Sequence, residues 1–209
     1  GRDLGGYVDE ARKFLGESLA LPAGYAVEFA GQYAQLAVAS QRLKVAIPTA
    51  VVIIFLLLLM YFGRVDRAVI VMLSLPFGLI GGLWAVWLAG YNLSVAVSVG
   101  FIALGGIAIE TAVIMVLYID AQVRKVQPTS KSDLLSAIMH GAVLRLRPKL
   151  MTVFTVVIGL SPVFMSDGLG VDVMRRIALP MVGGMMSTLL LTLIIIPAVY
   201  TAWVSREFN

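Results

Sequence analysis

One carboxylate within an apolar stretch is the side chain best suited to chemistry in this sequence. Glu110 stands near the middle of the apolar stretch 93–119, flanked by Ile109 and Thr111. A carboxyl group is costly in hydrocarbon, and ionisable residues there usually serve function and face the interior of a helix bundle. Because the low dielectric favours the neutral acid, Glu110 is a candidate proton acceptor and donor. The alternative is a structural role in a fixed hydrogen bond or ion pair between helices.

Methionine supplies a second kind of chemistry, because thioether sulfur is a neutral, soft ligand. It suits Cu(I) and, by the same softness, Ag(I) rather than Zn(II) or Ca(II). Met174 stands at the start of the last apolar stretch. Other methionines follow it at roughly helical spacing, namely Met181, Met185 and Met186. A metal-binding role is predicted for Met174 first. The alternative is gap filling, which is a common use of Met in apolar helices.

The remaining polar residues have simpler interpretations. Thr152 lies within the fourth apolar stretch, where a hydroxyl can relay protons but more commonly bonds back to its own helix. Arg145 is interpreted as an anchor at the membrane edge. Asp120 is expected at the end of its span in contact with water, and His140 on a surface. The glycine pairs 81–82, 105–106 and 183–184 predict close helix packing rather than phosphate loops.

The composition excludes several classes of protein. Of the 209 residues, 60% are hydrophobic and 13% are charged, and the mean hydropathy is +0.95. A soluble domain has about 45–50% apolar residues, so most of this chain is expected in the lipid bilayer. The chain has no Cys and 1 His, which rules out disulfide frameworks and multi-histidine sites within it. The sequence has no basic segment interleaved with aromatics, so no nucleic-acid partner is expected.

Five apolar stretches predict an all-α polytopic membrane protein with a transmembrane domain over 42–205. Each is near or above the ~20 residues that cross a bilayer. The predicted spans are about 43–62, 68–89, 93–119, 150–165 and 177–204. Pro148 and Lys149 are expected at the inner end of the fourth span, with the proline in its first turn. Before that span, residues 132–147 predict an amphipathic helix on the cytoplasmic membrane surface, capped by Ser132 or Asp133.

The first 41 residues differ from the rest, because they are mixed and polar. Leu4, Val8, Ala11 and Leu15 share a helical face, and the alternation over 25–31 predicts a short strand. This piece is predicted to be the end of an extramembrane α/β domain, too short to form a core alone. The chain opens at Gly1 without an initiator Met or a signal peptide, as a segment of a larger protein would.

Basic residues predict the orientation in the membrane. Most Lys and Arg near span ends fall on the side of the 63–67 and 120–131 connections, which is therefore predicted to be cytoplasmic. Residues 1–41 are then outside. Tyr200 and Trp203 are expected in the aromatic belt at the inner interface.

Three longer motifs resemble a known family. They are Gly100-Phe101-Ile102-Ala103-Leu104, the segment His140–Thr152 that contains Arg145-Leu146-Arg147-Pro148-Lys149, and Val173–Met185 that contains Met174-Arg175-Arg176. With Ser74-Leu75-Pro76-Phe77 they resemble the resistance–nodulation–division (RND) superfamily, and within it the heavy-metal efflux branch and its Cu(I)/Ag(I) pumps. The resemblance extends over essentially the whole chain.

The resemblance implies a larger molecule. Family members have twelve membrane helices, of which these five would be the last, with 1–41 as the end of a periplasmic porter-type α/β domain. They are proton-driven homotrimers of the bacterial inner membrane that join a periplasmic adaptor (membrane fusion protein) and an outer-membrane channel. Such proteins are secondary transporters rather than enzymes. The resemblance implies no resident cofactor, only transported Cu(I)/Ag(I) and protons.

The resemblance also assigns roles to individual residues. Met174 matches a methionine in the proposed metal path of the copper and silver pumps. Glu110 matches a membrane carboxylate assigned to proton relay, and Thr152 and Arg145 fall where the superfamily has accessory relay groups. Three functions stay open at this point: Cu(I)/Ag(I) efflux, export of divalent cations (Zn/Co/Cd/Ni) or drugs, and a non-transporting membrane scaffold.

Overall fold

The computed structural model describes residues 4–19, 22, 27, 29, 32–168 and 170–204. Every regular element in this part of the chain is helical. The elements are α1 (Leu4–Ser18), α2 (Gln32–Phe62), α3 (Val65–Leu88), α4 (Val95–Val126), α5 (Lys131–Met165), α6 (Val171–Leu190), a π-helical segment (Leu191–Ile195) and α7 (Ile196–Val204). The predicted strand over 25–31 falls largely outside the described residues.

Five helical spans are long and apolar enough to cross a membrane, which confirms the predicted class of fold. They are Val38–Phe62, Val65–Leu88, Val95–Val126, Lys131–Met165 and Val171–Val204. Successive spans alternate in direction, so the α2–α3 and α4–α5 connections lie at one end of the bundle. We call this the α4–α5 end, and the opposite end the α3–α4 end.

Local chemistry sets where the helices begin and end. Gly63, with φ of 63°, follows α2 in a conformation that favours glycine. The Ser94 side chain caps α4 by accepting from the Val97 N–H at 3.4 Å. α5 is capped by Ser130, which accepts from the Asp133 N–H at 3.2 Å, two residues before the predicted cap Ser132.

The structure differs from the prediction most clearly in α5. The predicted surface helix 132–147 and the predicted fourth span are one continuous helix from Lys131 to Met165. Pro148 lies inside this helix rather than in a first turn. Leu134, Ile138 and Ala142 belong to the hydrophobic core that α5 shares with α4. The apolar face of the segment therefore packs on protein.

Glycine brings α3 and α6 into direct backbone contact. A Cβ added to Gly81 would lie 2.5 Å from the Gly183 carbonyl oxygen, and one added to Gly183 would lie 2.7 Å from the Gly81 carbonyl oxygen. The Ser187 hydroxyl also donates to the Gly78 carbonyl at 3.0 Å. The predicted close packing of 81–82 and 183–184 is confirmed. At Gly106, by contrast, an added Cβ would meet nothing within 4 Å.

Candidate functional site

A cavity of about 250 Å³ opens between α4, α5 and the α6–π-helical junction. Its lining combines titratable, hydroxyl and thioether groups: Ile107, Glu110, Thr111, Ile114, Met115, Arg145, Pro148, Lys149, Thr152, Val156, Met185 and Thr192. At ~30 Å³ per water, the cavity has room for several waters. It brings together three of the four residues proposed from the sequence, namely Glu110, Arg145 and Thr152.

Lys149 is the residue that the sequence interpretation missed. It is only 7% exposed, although it was expected at the membrane edge. Its Nζ donates to Thr111 Oγ1 at 2.8 Å. Glu110 lies close enough to interact electrostatically with the same ammonium group. A buried lysine is rare unless it is paired, so this contact defines the centre of the cavity.

A helical pattern could have identified Lys149. In one continuous helix, Ile138, Ala142, Lys149 and Val153 are spaced by 4, 7 and 4 residues, and all four are buried. This spacing places them on a single face. Dividing the segment into two helices at Pro148 concealed the pattern.

Glu110 is at the open side of the cavity. Its side chain is exposed in this chain, and Gly106, one turn before it, is also exposed. Glu110 therefore lines the cavity, but none of the described helices covers this face of α4, so the interior position expected for Glu110 stays a prediction. The close helix contact predicted at Gly106 is likewise not made within the described part of the chain.

Arg145 and Thr152 lie on either side of Lys149 along α5. The Arg145 guanidinium is 4.6 Å from the centroid of the Tyr118 ring of α4, a cation–π geometry. The Thr152 hydroxyl donates to the Lys149 carbonyl at 2.8 Å, so it bonds back to its own helix. Its oxygen retains lone pairs that can accept from a group in the cavity.

Met174 lies apart from this cavity, at the α3–α4 end. It is 62% exposed, in the first turn of α6. The next two residues fix that turn: Arg175 donates to the Val163 carbonyl at 3.2 Å, and the Arg176 guanidinium lies 4.8 Å from the centroid of the Tyr91 ring. Met174 is thus exposed in a helical turn that these contacts tie to α5 and to the α3–α4 connection. Met185, in contrast, is buried and lines the cavity.

A second polar group, at the α4–α5 end, corrects two expectations. Asp120 is 7% exposed rather than solvated, and Tyr200 is fully buried rather than part of an interface belt. The Tyr200 hydroxyl donates to Asp120 Oδ1. Arg67 Nε is 3.1 Å from Asp120 Oδ2, and Arg67 also donates to the Tyr200 oxygen at 3.2 Å. These residues, named here the Arg67 cluster, join α3, α4 and α7. His140, as expected, is exposed.

Comparison with known proteins supports the family that the sequence motifs resemble. The family model described as the AcrB/AcrD/AcrF family matches residues 1–203. The chain is 43% identical to the cation efflux system protein CusA of Escherichia coli (strain K12) and 42% identical to the putative cation efflux system protein SilA of Salmonella typhimurium. In each case, 99% of this chain and 20% of the relative are covered. Identity to the cobalt-zinc-cadmium resistance protein CzcA of Cupriavidus metallidurans is 36%, over 96% of this chain and 18% of that protein.

A solved structure gives the same result. A crystal structure of a heavy metal efflux pump superposes with a TM-score of 0.77 at 33% identity, covering 99% of this chain and 20% of that chain. The chain thus spans about a fifth of the length of the relatives it matches. Both the family match and the structural similarity extend over nearly all of the chain. The chain therefore belongs to the AcrB/AcrD/AcrF family and, within the RND superfamily, to the heavy-metal efflux branch.

Proposed function

We propose that this chain is part of a proton-coupled exporter of monovalent soft metal cations, Cu(I) or Ag(I). The observation that supports it best is the cavity that Glu110 and Lys149 share inside the spans. Ionisable residues within membrane helices mark ion pathways and proton relays. A carboxylate and an ammonium group that interact in one cavity with room for several waters form a pair whose net charge changes when either group gains or loses a proton.

The proposed relay uses groups on two helices. A proton that reaches Glu110 neutralises its carboxylate and removes the partner charge of the Lys149 ammonium. Lys149 keeps its hydrogen bond to Thr111, so the ammonium then depends on that hydroxyl, on Thr152 and on water. Repacking α5 against α4 changes the number of groups that solvate the ammonium. Proton binding thereby favours one helix arrangement over another, which is what coupled transport requires.

The metal is proposed to enter at Met174. A thioether binds a soft monovalent cation without adding charge. The cations of Arg175 and Arg176 are each paired with a carboxylate, Asp167 at 3.1 Å and Asp172 at 3.2 Å respectively. These pairs reduce the repulsion that a second cation would meet near Met174. Met174 and the cavity are separate, so metal and proton follow different routes.

The rest of the proposal follows from membership of the heavy-metal branch. The whole protein is proposed to be a homotrimer in the bacterial inner membrane, with the α4–α5 end cytoplasmic and 1–41 on the periplasmic side. Its proposed partners are a periplasmic adaptor and an outer-membrane channel. Export of divalent cations or drugs, and a scaffold without transport, are the competing functions.

Metal tolerance separates these functions. Cells carrying a full-length exporter that contains this sequence are challenged with silver, zinc and a lipophilic drug. Protection against silver alone is expected. Protection against zinc or the drug instead would contradict the proposed substrate. The purified 209-residue chain in vesicles is expected to move neither metal nor protons, because the remaining spans of the relatives are needed.

A further inference from the structure

The helical unit formed by α6, the π-helical segment and α7 takes part in both polar groups. Thr192 of the π-helical segment lines the cavity. Tyr200 of α7, eight residues later, belongs to the Arg67 cluster. α4 likewise contributes Glu110 and Thr111 to the cavity and Asp120 to the cluster. Both α4 and the unit formed by α6, the π-helical segment and α7 therefore contribute residues to the cavity and to the Arg67 cluster.

A regular α-helix would not orient Thr192 and Tyr200 alike. At roughly 100° per residue, eight residues leave the two side chains about 80° apart. The π-helical turn holds one more residue than an α-helical turn, because its hydrogen bonds run from residue i to i−5. With the extra residue, the eight residues rotate the chain only as far as seven residues of an α-helix would, about 700°. The directions of the two side chains then differ by only about 20°, so they lie on one face.

The π-helical turn lies just before Pro197, a residue that an α-helix accommodates poorly. Pro197 has no N–H, and in an α-helix its ring would collide with the carbonyl of Leu193. The Ile196 N–H bonds to the Leu191 carbonyl, five residues back. The chain thus widens one turn just before the proline.

The Thr192 hydroxyl is available to the cavity. It donates to the Thr188 carbonyl, which leaves its lone pairs to accept a hydrogen bond. The Lys149 ammonium has three donors, and Thr111 accepts from it at 2.8 Å. Thr192 can therefore accept from Lys149 or from a water between them. Thr192 precedes the start of α7 by four residues, and the Arg67 cluster attaches α7 to α4.

We propose that the π-helical turn holds Thr192 and Tyr200 in register, so that the Arg67 cluster positions Thr192 in the Glu110–Lys149 cavity. Thr192 is then a positioning residue for Lys149, and α4 and α7 move together. The role of Thr192 in transport rests on the proposed function. The register itself does not.

Crosslinking tests the register. This 209-residue sequence has no Cys. In the full-length exporter, with any Cys outside this sequence replaced by Ser, the pair Asp120→Cys and Tyr200→Cys can be joined by a short thiol reagent. A protease site in the α5–α6 connection reveals the crosslink on a gel. Deleting Leu193 together with Pro197→Ala removes both the extra residue and the ring that would collide with the preceding turn, and the resulting α-helix keeps the register. Inserting Ala after Leu193 rotates α7 by about a further 100°.

We expect crosslinking close to the parent yield in the deletion variant and a severalfold loss in the insertion variant. Inserting Ala after Gln127, in the α4–α5 connection, is the matched control and should leave the yield unchanged. If the crosslinking yield falls equally in the deletion and the insertion variants, or falls in neither, the proposed register of Thr192 and Tyr200 is wrong.

Metal tolerance tests the positioning role in the same exporter, with natural Asp120 and Tyr200. Thr192→Ser keeps the hydroxyl and should retain silver tolerance, whereas Thr192→Val should lower it severalfold at equal expression. Wild-type tolerance in Thr192→Val would overturn the role of Thr192. If the parent exporter protects against no metal, the proposed function fails, and the crosslinking still decides the register.

Discussion

The Lys149 ammonium donates to the Thr111 hydroxyl over 2.8 Å and so joins α5 to α4 inside the membrane spans. The lysine is 7% exposed, and Glu110, next to Thr111 in the sequence, interacts with it electrostatically. Adjacent residues of α4 thus provide a hydroxyl and a carboxylate for one cation. The environment of the Lys149 ammonium therefore changes when Glu110 gains or loses a proton.

Removing the Thr111 acceptor should destabilise the fold. Thr111→Val leaves a buried ammonium without its hydroxyl partner, and such a loss costs about 1–3 kcal/mol. Thr111→Ser keeps the acceptor and should cost less. Denaturant unfolding of the detergent-purified exporter measures both. Equal stability of the valine variant and the parent would mean that another group solvates the ammonium.

Glu110→Gln should abolish silver tolerance while the protein still reaches the membrane. Gln has nearly the same shape as Glu but carries no charge and does not exchange a proton, so the proposed relay is removed together with the partner charge of Lys149. Growth in silver, with expression checked by blotting, is the measurement. Glu17→Gln on exposed α1 is the matched control and should retain full tolerance. Wild-type growth of the Glu110 variant would exclude a relay role.

Met174→Ile should lower silver tolerance without loss of expression, because Ile has similar bulk but no sulfur ligand. Met151→Ile provides a control: Met151 is also well exposed, at 68% against 62% for Met174, but it lies within α5. Silver tolerance and uptake into inverted vesicles measure the effect. If the two variants lower silver tolerance and uptake equally, or neither lowers them, the position of Met174 in the first turn of α6 has no special role in metal entry.

Gly81→Ala should destabilise the bundle, since the new methyl group would lie 2.5 Å from the Gly183 carbonyl oxygen. Overpacking of this kind typically costs about 1–3 kcal/mol. Gly159→Ala is the matched control, because nothing lies within 4 Å of an added Cβ there. That change should be neutral or stabilise by up to about 1 kcal/mol, the difference in helix propensity. Thermal unfolding in detergent compares the two.

Arg67→Met should destabilise strongly, because it leaves the buried Asp120 carboxylate without its guanidinium partner. Breaking one side of a buried pair costs about 3–5 kcal/mol. Adding Asp120→Asn removes the stranded charge and should recover much of the loss. A double-mutant cycle from denaturant unfolding measures the coupling. Additive effects of the two changes would show that the Arg67 cluster is not an energetic unit.

Much of the fold could be predicted from the sequence, because hydropathy and length have a direct physical meaning in a bilayer. Five apolar stretches predicted the five spans, and the glycine pairs predicted the close contact between α3 and α6. The continuity of α5 was not predicted, because Pro148 suggested a helix start. In the structure α5 continues through this proline, and its first half packs against α4.

The sequence identified single residues with unusual chemistry for their surroundings, above all Glu110 and Met174. It could not identify their partners. Lys149 and Asp120 both stand near the ends of predicted spans, where a charge is normally solvated. Only the packing of α4 against α5, and of α3 and α4 against α7, decides that they are buried.

The sequence by itself therefore determined the class of protein, the number of spans and the one carboxylate within an apolar run. These depend on local composition, which each segment carries without reference to the others. The tertiary structure alone decided that Lys149 meets Thr111 and that Arg67 holds Asp120 and Tyr200. Such relationships depend on the rotation and spacing of helices that are distant in the sequence, which no local pattern specifies.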